Sequence, residues 1–169
     1  LGSLYYARAD GSDVVEVVAG MLTPNGVALS ADGRTVYVAE TLPRRLWAFE
    51  LDAPGEIRRE SWPSPNGGRL VAGLPGAHYP DSLAIDAAGH ICVASFNQCG
   101  IWEIAPDGSS CVFRPLQDFY ATNIAFGGLD LSTTFVTLSS TGRLVSFKWP
   151  RPGQALPYVN FPVTERANA

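Results

Sequence analysis

The sequence predicts an all-β fold, and three observations carry the prediction. Short strand-like runs such as Thr35-Val36-Tyr37-Val38 and Leu46-Trp47-Ala48-Phe49 recur along the chain. Aromatic and β-branched residues fill such runs because they pack well on a pleated, half-buried surface. Turn signals such as Asp32-Gly33 and Asp107-Gly108 separate the runs, with glycine supplying the positive φ that tight turns need. No segment carries an apolar stripe of helical period.

Taken in order, the elements fall into two repeating units. The first unit is a pair of strands about a turn: PNGVALSADGRTVYVAE from Pro24 to Glu40, PDSLAIDAAGHICVAS from Pro80 to Ser95, and a third copy that begins ATNIAFGG at Ala121. Ala28 aligns with Ala84 and Ala125, and Val38-Ala39 with Val93-Ala94. The second unit lies between these: GSLYYARADGS from Gly2, RRLWAFELDAPG from Arg44, CGIWEIAPDGS from Cys99 and GRLVSFKWPRPG from Gly142. Leu4, Leu46, Ile101 and Leu144 mark its repeat, at steps of roughly 40 to 55 residues. The longest step holds an insertion around Arg58 to Gly68, where SWPSPNGG reads as loop.

A period of this length with about four short strands per unit is the signature of a β-propeller blade. A β-sandwich would not repeat its sequence in this way. About three to three and a half blades are present, whereas a ring needs at least about four. The expectation is a partial arc over residues 1–157 with a tail over 158–169. An open arc exposes sheet edges, so either blades precede Leu1 or arcs from two chains associate. The opening LGSLYYARADGS has no initiator Met and is already strand-like, which favours the C-terminal part of something longer.

Composition narrows the function classes. Hydrophobic residues are 46% and charged residues 17%, which is the balance of a globular chain. A net charge of -4 without a basic cluster argues against nucleic acid as a partner. No apolar run approaches the roughly 20 residues of a membrane helix, so no membrane partner is expected. Cys92, Cys99 and Cys111 form no CxxC pair and no even framework; Cys92, inside a strand pattern, reads as a small buried hydrophobe. Odd, scattered cysteines lean towards a reducing compartment, and the expected location is cytoplasmic.

In a propeller, the loop before each innermost strand faces the central channel. Asn25, Asp81 and Thr122 are equivalent in the three copies and occupy that loop. Asn and Asp oxygens are hard ligands suited to Ca²⁺, Mg²⁺ or Mn²⁺, with Zn²⁺ possible; the Thr122 hydroxyl is better suited to lining the pocket. Asn and Asp after Pro are also ordinary turn formers, so the pattern alone leaves the ligand and turn readings open. Two ligands do not hold a catalytic metal unaided, since such sites usually take at least three protein groups. His78 lies in the same loop as Asp81 and is a candidate substrate contact. Ser82 is a candidate partner of the site, with no base beside it in sequence to make it a nucleophile. Glu40 and Thr41 read as structural, and Trp47, Trp102 and Trp149 as packing between blades.

These segments, in this order and spacing, resemble the C-terminal half of the gluconolactonase family, which includes regucalcin (senescence marker protein 30) and luciferin-regenerating enzyme. The resemblance covers Gly2 to about Pro157. It implies a six-bladed propeller with one divalent metal in its channel, Ca²⁺ first among the candidates, and hydrolysis of a lactone substrate. Asn25 matches the family's PNG ligand. Asp81 matches the ligand of its PDG segment, although Ser82 stands where the family usually has Gly. Asp81 is then both metal ligand and catalytic proton acceptor. The family's Glu ligand and its substrate-binding Arg and Asn would lie before Leu1. The rival expectation is a non-catalytic propeller that binds calcium or a protein partner.

Overall fold

Fourteen strands, all antiparallel, build four sheets in the computed structural model, which describes residues 1–157 and Val159. The first sheet pairs β1 (Gly2–Ala7) with β2 (Val14–Met21). The second orders β3 (Pro24–Leu29), β4 (Thr35–Glu40) and β5 (Arg45–Ala53), with β6 (Glu56–Arg58) and β7 (Arg69–Gly73) both on β5. The third runs β8 (His78–Ile85), β9 (Ile91–Asn97), β10 (Gly100–Ile104) and β11 (Cys111–Pro115). The fourth runs β12 (Ala121–Gly127), β13 (Thr133–Leu138) and β14 (Arg143–Lys148). The expected insertion follows β6 as loop. The expected tail, 158–169, falls outside the described residues except for Val159.

The repeat is visible in the hairpins. Gly33 and Gly89 close equivalent turns by donating to Ser30 and Asp86 carbonyls, each at 2.9 Å. Their φ values of 69° and 83° lie in the left-handed region that glycine enters without strain.

Three apolar layers separate the four sheets, because the middle strands bury both faces. Val36 and Val38 of β4 pack with Leu4, Val18 and Met21 of the first sheet. Tyr37 and Ala39, on the opposite face of the same strand, pack with Leu83, Ile91 and Val93 of the third. Cys92 and Ala94 of β9 then face Ile124, Val136 and Leu138 of the fourth. Period-two strands buried on both sides explain the near-continuous apolar runs in sequence. Trp47, Trp102 and Trp149 each sit in one of these layers, as expected of inter-sheet packing. Cys92 is fully buried and burial pushes its thiol pKa far up, so it acts as a small hydrophobe.

The first strands β3, β8 and β12 lie side by side without hydrogen-bonding to one another. Sheets stacked face to face, with no sheet closed on itself, are consistent with a partial propeller. After β14 the chain crosses back over the turn ends of the other sheets. Ala87 donates to the Pro152 carbonyl (2.8 Å), Gln154 to that of Ile85 (2.9 Å), and the Gln154 side chain to that of Leu29 (3.1 Å). No helix among the described residues is long and apolar enough to cross a membrane.

Candidate functional site

The three candidate positions Asn25, Asp81 and Thr122 share one backbone device. Between the pairs Pro24–Glu40 and Val27–Val38, two residues, Asn25 and Gly26, face only Ala39. Asp81 and Ser82 face only Ala94 in the same way, and Thr122 and Asn123 face only Thr137. Each is a β-bulge, which adds a residue, bends the strand and re-aims a side chain. The bulges break the strand alternation where Asn, Asp and Thr occur, and so take these side chains out of the apolar layers.

Two of the three are brought together. Asn25 and Asp81 lie close enough for the Asn25 side chain to favour the charged form of the Asp81 carboxylate. Gly26 makes this approach possible: a Cβ there would lie 2.5 Å from the Asp81 carbonyl oxygen and 3.0 Å from the Leu83 nitrogen. Any side chain at Gly26 would force β3 and β8 apart. Burial raises the Asp81 pKa, and Asn25 and the Ser82 backbone offset part of that rise. Among the described residues Asp81 has no cationic partner. Two hard oxygen groups side by side, one of them a partly desolvated carboxylate without a counter-charge, suit a divalent cation.

The other candidates have different surroundings. Thr122 shares a hydrogen bond with the Thr137 hydroxyl at 2.9 Å on an exposed part of the fourth sheet. Ser82 is half-buried within the Asp81 bulge. His78 is 8% exposed, and its ring packs edge-on against Trp102 (5.0 Å) and Phe113 (4.5 Å) in the layer between the second and third sheets. Burial lowers its pKa and keeps the ring neutral near pH 7. Glu40 is buried and accepts from Leu22 N and Trp47 Nε1, both at 2.6 Å, a structural role as expected.

A second group escaped the sequence reading. Asp86, His90 and Glu103 bring potential ligand atoms within 4.8 Å of one another, a donor set of types that bind divalent metals. Asp86 follows β8, whereas Asp81 lies in the bulge at its middle, five residues earlier, so the two are roughly 15 Å apart along the strand. The carboxylates of this second group are already engaged. Asp86 Oδ1 accepts from Ala88 N and His90 N, and its Oδ2 accepts from Arg151 Nε at 2.6 Å. Glu103 accepts from Arg114 (2.6 and 2.8 Å) and from Arg151. Burial tends to raise the Glu103 pKa, but Arg114 and Arg151 outweigh it and leave the pKa lowered. Two arginines stand where an ion would have to enter. The one sequence sign of this cluster is a charged Glu103 within the apolar run of β10; Asp86 reads as a turn residue, and Arg151 is remote in sequence.

Comparison with known proteins places the chain in a family. A family model described as the SMP-30/Gluconolactonase/LRE-like region matches residues 1–140. The chain belongs to this family. Among curated family relatives, the 6-deoxy-6-sulfogluconolactonase of Pseudomonas putida is 30% identical over 154 residues, covering 86% of this chain and 49% of that protein. Diisopropyl-fluorophosphatase of Loligo vulgaris is 26% identical over 159 residues, covering 90% and 48%. Among solved structures, a luciferin-regenerating enzyme superimposes with a TM-score of 0.68 at 28% identity, over 81% of this chain and 44% of that one. The chain spans about half the length of the curated relatives it matches.

Proposed function

We propose that this chain carries part of a metal-dependent lactonase-like hydrolase, as three to three and a half blades of a six-bladed propeller. The observation that carries the reading is the pairing of Asn25 and Asp81 on adjacent bulges. These residues would hold the ion through the Asn25 carboxamide oxygen and the Asp81 carboxylate, with further ligands from outside the described chain. A divalent cation bound there supplies Lewis-acid polarisation of a lactone carbonyl and a more acidic water. Asp81 would accept the proton of the attacking water, a role a positioned carboxylate can take. Asn25 orients that carboxylate, and Ser82 and Thr122 line the approach. Ca²⁺ is the first candidate, with Mg²⁺, Mn²⁺ and Zn²⁺ compatible with the same oxygens.

Relatives named as lactonases support the ring-ester substrate class. The competing reading, a propeller that binds calcium or a protein without catalysis, keeps the ion and drops the turnover. The test is hydrolysis of a sugar lactone with and without added divalent ion, in the complete six-bladed protein, with Asp81 intact and as Asp81→Asn. Ion-dependent turnover that disappears in Asp81→Asn while circular dichroism stays unchanged is the expected result. Near-normal turnover in that variant would sink the assignment.

A further inference from the structure

The second and third sheets differ at one buried polar position. The alignment that equates Pro24 with Pro80 and Ala39 with Ala94 also equates Leu22 with His78, Glu40 with Ser95 and Trp47 with Trp102. Strand pairing bears this out, since Trp47 lies opposite Val38 and Trp102 opposite Val93. In the second sheet the Glu40 carboxylate bridges this gap: it accepts from Trp47 Nε1 and from Leu22 N. It thereby ties the start of β3 to β5.

Ser95 is too short for that role. Its Oγ, the Trp102 Nε1 and the His78 Nδ1 are all buried with no hydrogen-bond partner among the described residues. Ser95 is 0% exposed and the other two residues 8%. The His78 and Trp102 rings touch, at 5.0 Å between centroids, and Ser95 holds the strand position from which Glu40 reaches the Trp47 indole one sheet earlier. An orphaned buried polar group is costly, and three in neighbouring residues would be hard for a fold of marginal stability to bear.

We infer that His78, Ser95 and Trp102 form a binding site for one water molecule, in the place that the Glu40 carboxylate fills one sheet earlier. The chemistry selects the ligand. Trp102 Nε1 only donates, so the occupant must accept, and an indole nitrogen offers no lone pair to a metal. Ser95 and the neutral His78 ring each donate or accept, so a neutral molecule with both capacities fits, and no cation is present there to hold an anion. Ser lacks about three heavy atoms of the Glu side chain, and the larger His ring takes back some of that volume; a water needs about 30 Å³. The water would tie the start of β8 to β9 and β10, and His78 lies three residues before Asp81. The site therefore steadies the strand that presents Asp81, while its existence does not depend on the hydrolase reading.

Trp102 reports on the site by NMR. Loss of one indole signal in Trp102→Phe identifies its Nε1–H. In the wild-type sequence that proton should show a cross-peak to long-lived water and slow exchange. Ser95→Glu should abolish the cross-peak and shift the indole signal, because the longer carboxylate restores the bridge seen at Glu40. A high-resolution crystal structure of the unmodified chain gives a second readout, with density expected within hydrogen-bond distance of all three atoms. An indole proton without a water contact, or clear density showing Trp102 Nε1 bonded directly to a protein group, would overturn the proposal.

Discussion

Asp81 is a carboxylate partly withdrawn from water with only an amide and a backbone N–H to compensate it. Its folded pKa lies above the ordinary 3.8, so the folded state binds this proton more tightly than the unfolded chain does. Stability from this group is therefore greatest at low pH and falls as pH rises from 3.8 through the folded value. At neutral pH without divalent ion, Asp81→Asn should be at least as stable as the wild-type sequence in thermal melts. With Ca²⁺ at a hundredfold excess over Kd, the wild-type sequence should gain about 2.7 kcal/mol, a rise of roughly 5–10 °C in Tm for a chain of this size. Asp81→Asn should gain nothing. A destabilised variant in chelator would contradict the cost of burying this charge, and an equal Ca²⁺ shift in both proteins would show that Asp81 is not an ion ligand. His78 illustrates the limit of reading such sites from sequence. Its neighbours in the chain, Asp81 and Ser82, sit in the β8 bulge, but its ring partners, Trp102 and Phe113, lie on β10 and β11.

At the scale of elements, the bulges and the returning segment after β14 organise the molecule. The repeat made the strand pairs and the equivalence of Asn25, Asp81 and Thr122 legible. The bulges themselves were not legible, because an extra residue facing Ala39, Ala94 or Thr137 is a property of the pairing and leaves no composition of its own. Gly26 is where two bulges meet. Gly26→Ala should cost about 1–3 kcal/mol through overpacking against the Asp81 backbone, and weaken Ca²⁺ binding at least about tenfold. Gly33→Ala, strained at its positive φ but with open space around it, should cost about 1 kcal/mol and leave Ca²⁺ affinity unchanged in calorimetric titration.

The returning segment is held by Arg151, which joins Asp86 to Glu103 across two strands. The Asp86 side chain is fully buried, so removing its cation leaves a charge that the interior tolerates poorly. Arg151→Met should cost about 3 kcal/mol at pH 7 in urea titration, the low end for breaking a buried pair, because two backbone N–H groups still serve Asp86. The lowered pKa of Glu103 means that its share of stability is present above the ordinary 4.5 and is lost as pH falls through the folded value. The gap between wild type and variant should narrow in that acid range. A gap independent of pH would argue against the ion pairs as its source.

The described residues form four stacked sheets, and the stack has two ends. Among the described residues β1 pairs only with β2, and β14 only with β13. Tyr5 and Leu144 are exposed at these ends, at 58% and 67%. Unpaired edges with apolar side chains invite association, so sedimentation velocity should show concentration-dependent self-association. A monodisperse monomer across the concentration range would contradict this. Fold class and family were legible from the repeat because each sheet re-states the same pattern. The Asp86–His90–Glu103–Arg151 cluster was not, because Asp86 and Glu103 meet through strand pairing and Arg151 joins them only when the segment after β14 folds back.

Two groups of oxygen-bearing side chains compete for the role of ion site, one at the bulge in the middle of β8 and one just past its end. Anomalous diffraction from a crystal of this chain soaked in Mn²⁺ decides between them. The account predicts one peak within coordination distance of the Asn25 carboxamide oxygen and the Asp81 carboxylate, with Arg151 still on Asp86 and Glu103. A peak among Asp86, His90 and Glu103, or none beside Asp81 at saturating Mn²⁺, would contradict it.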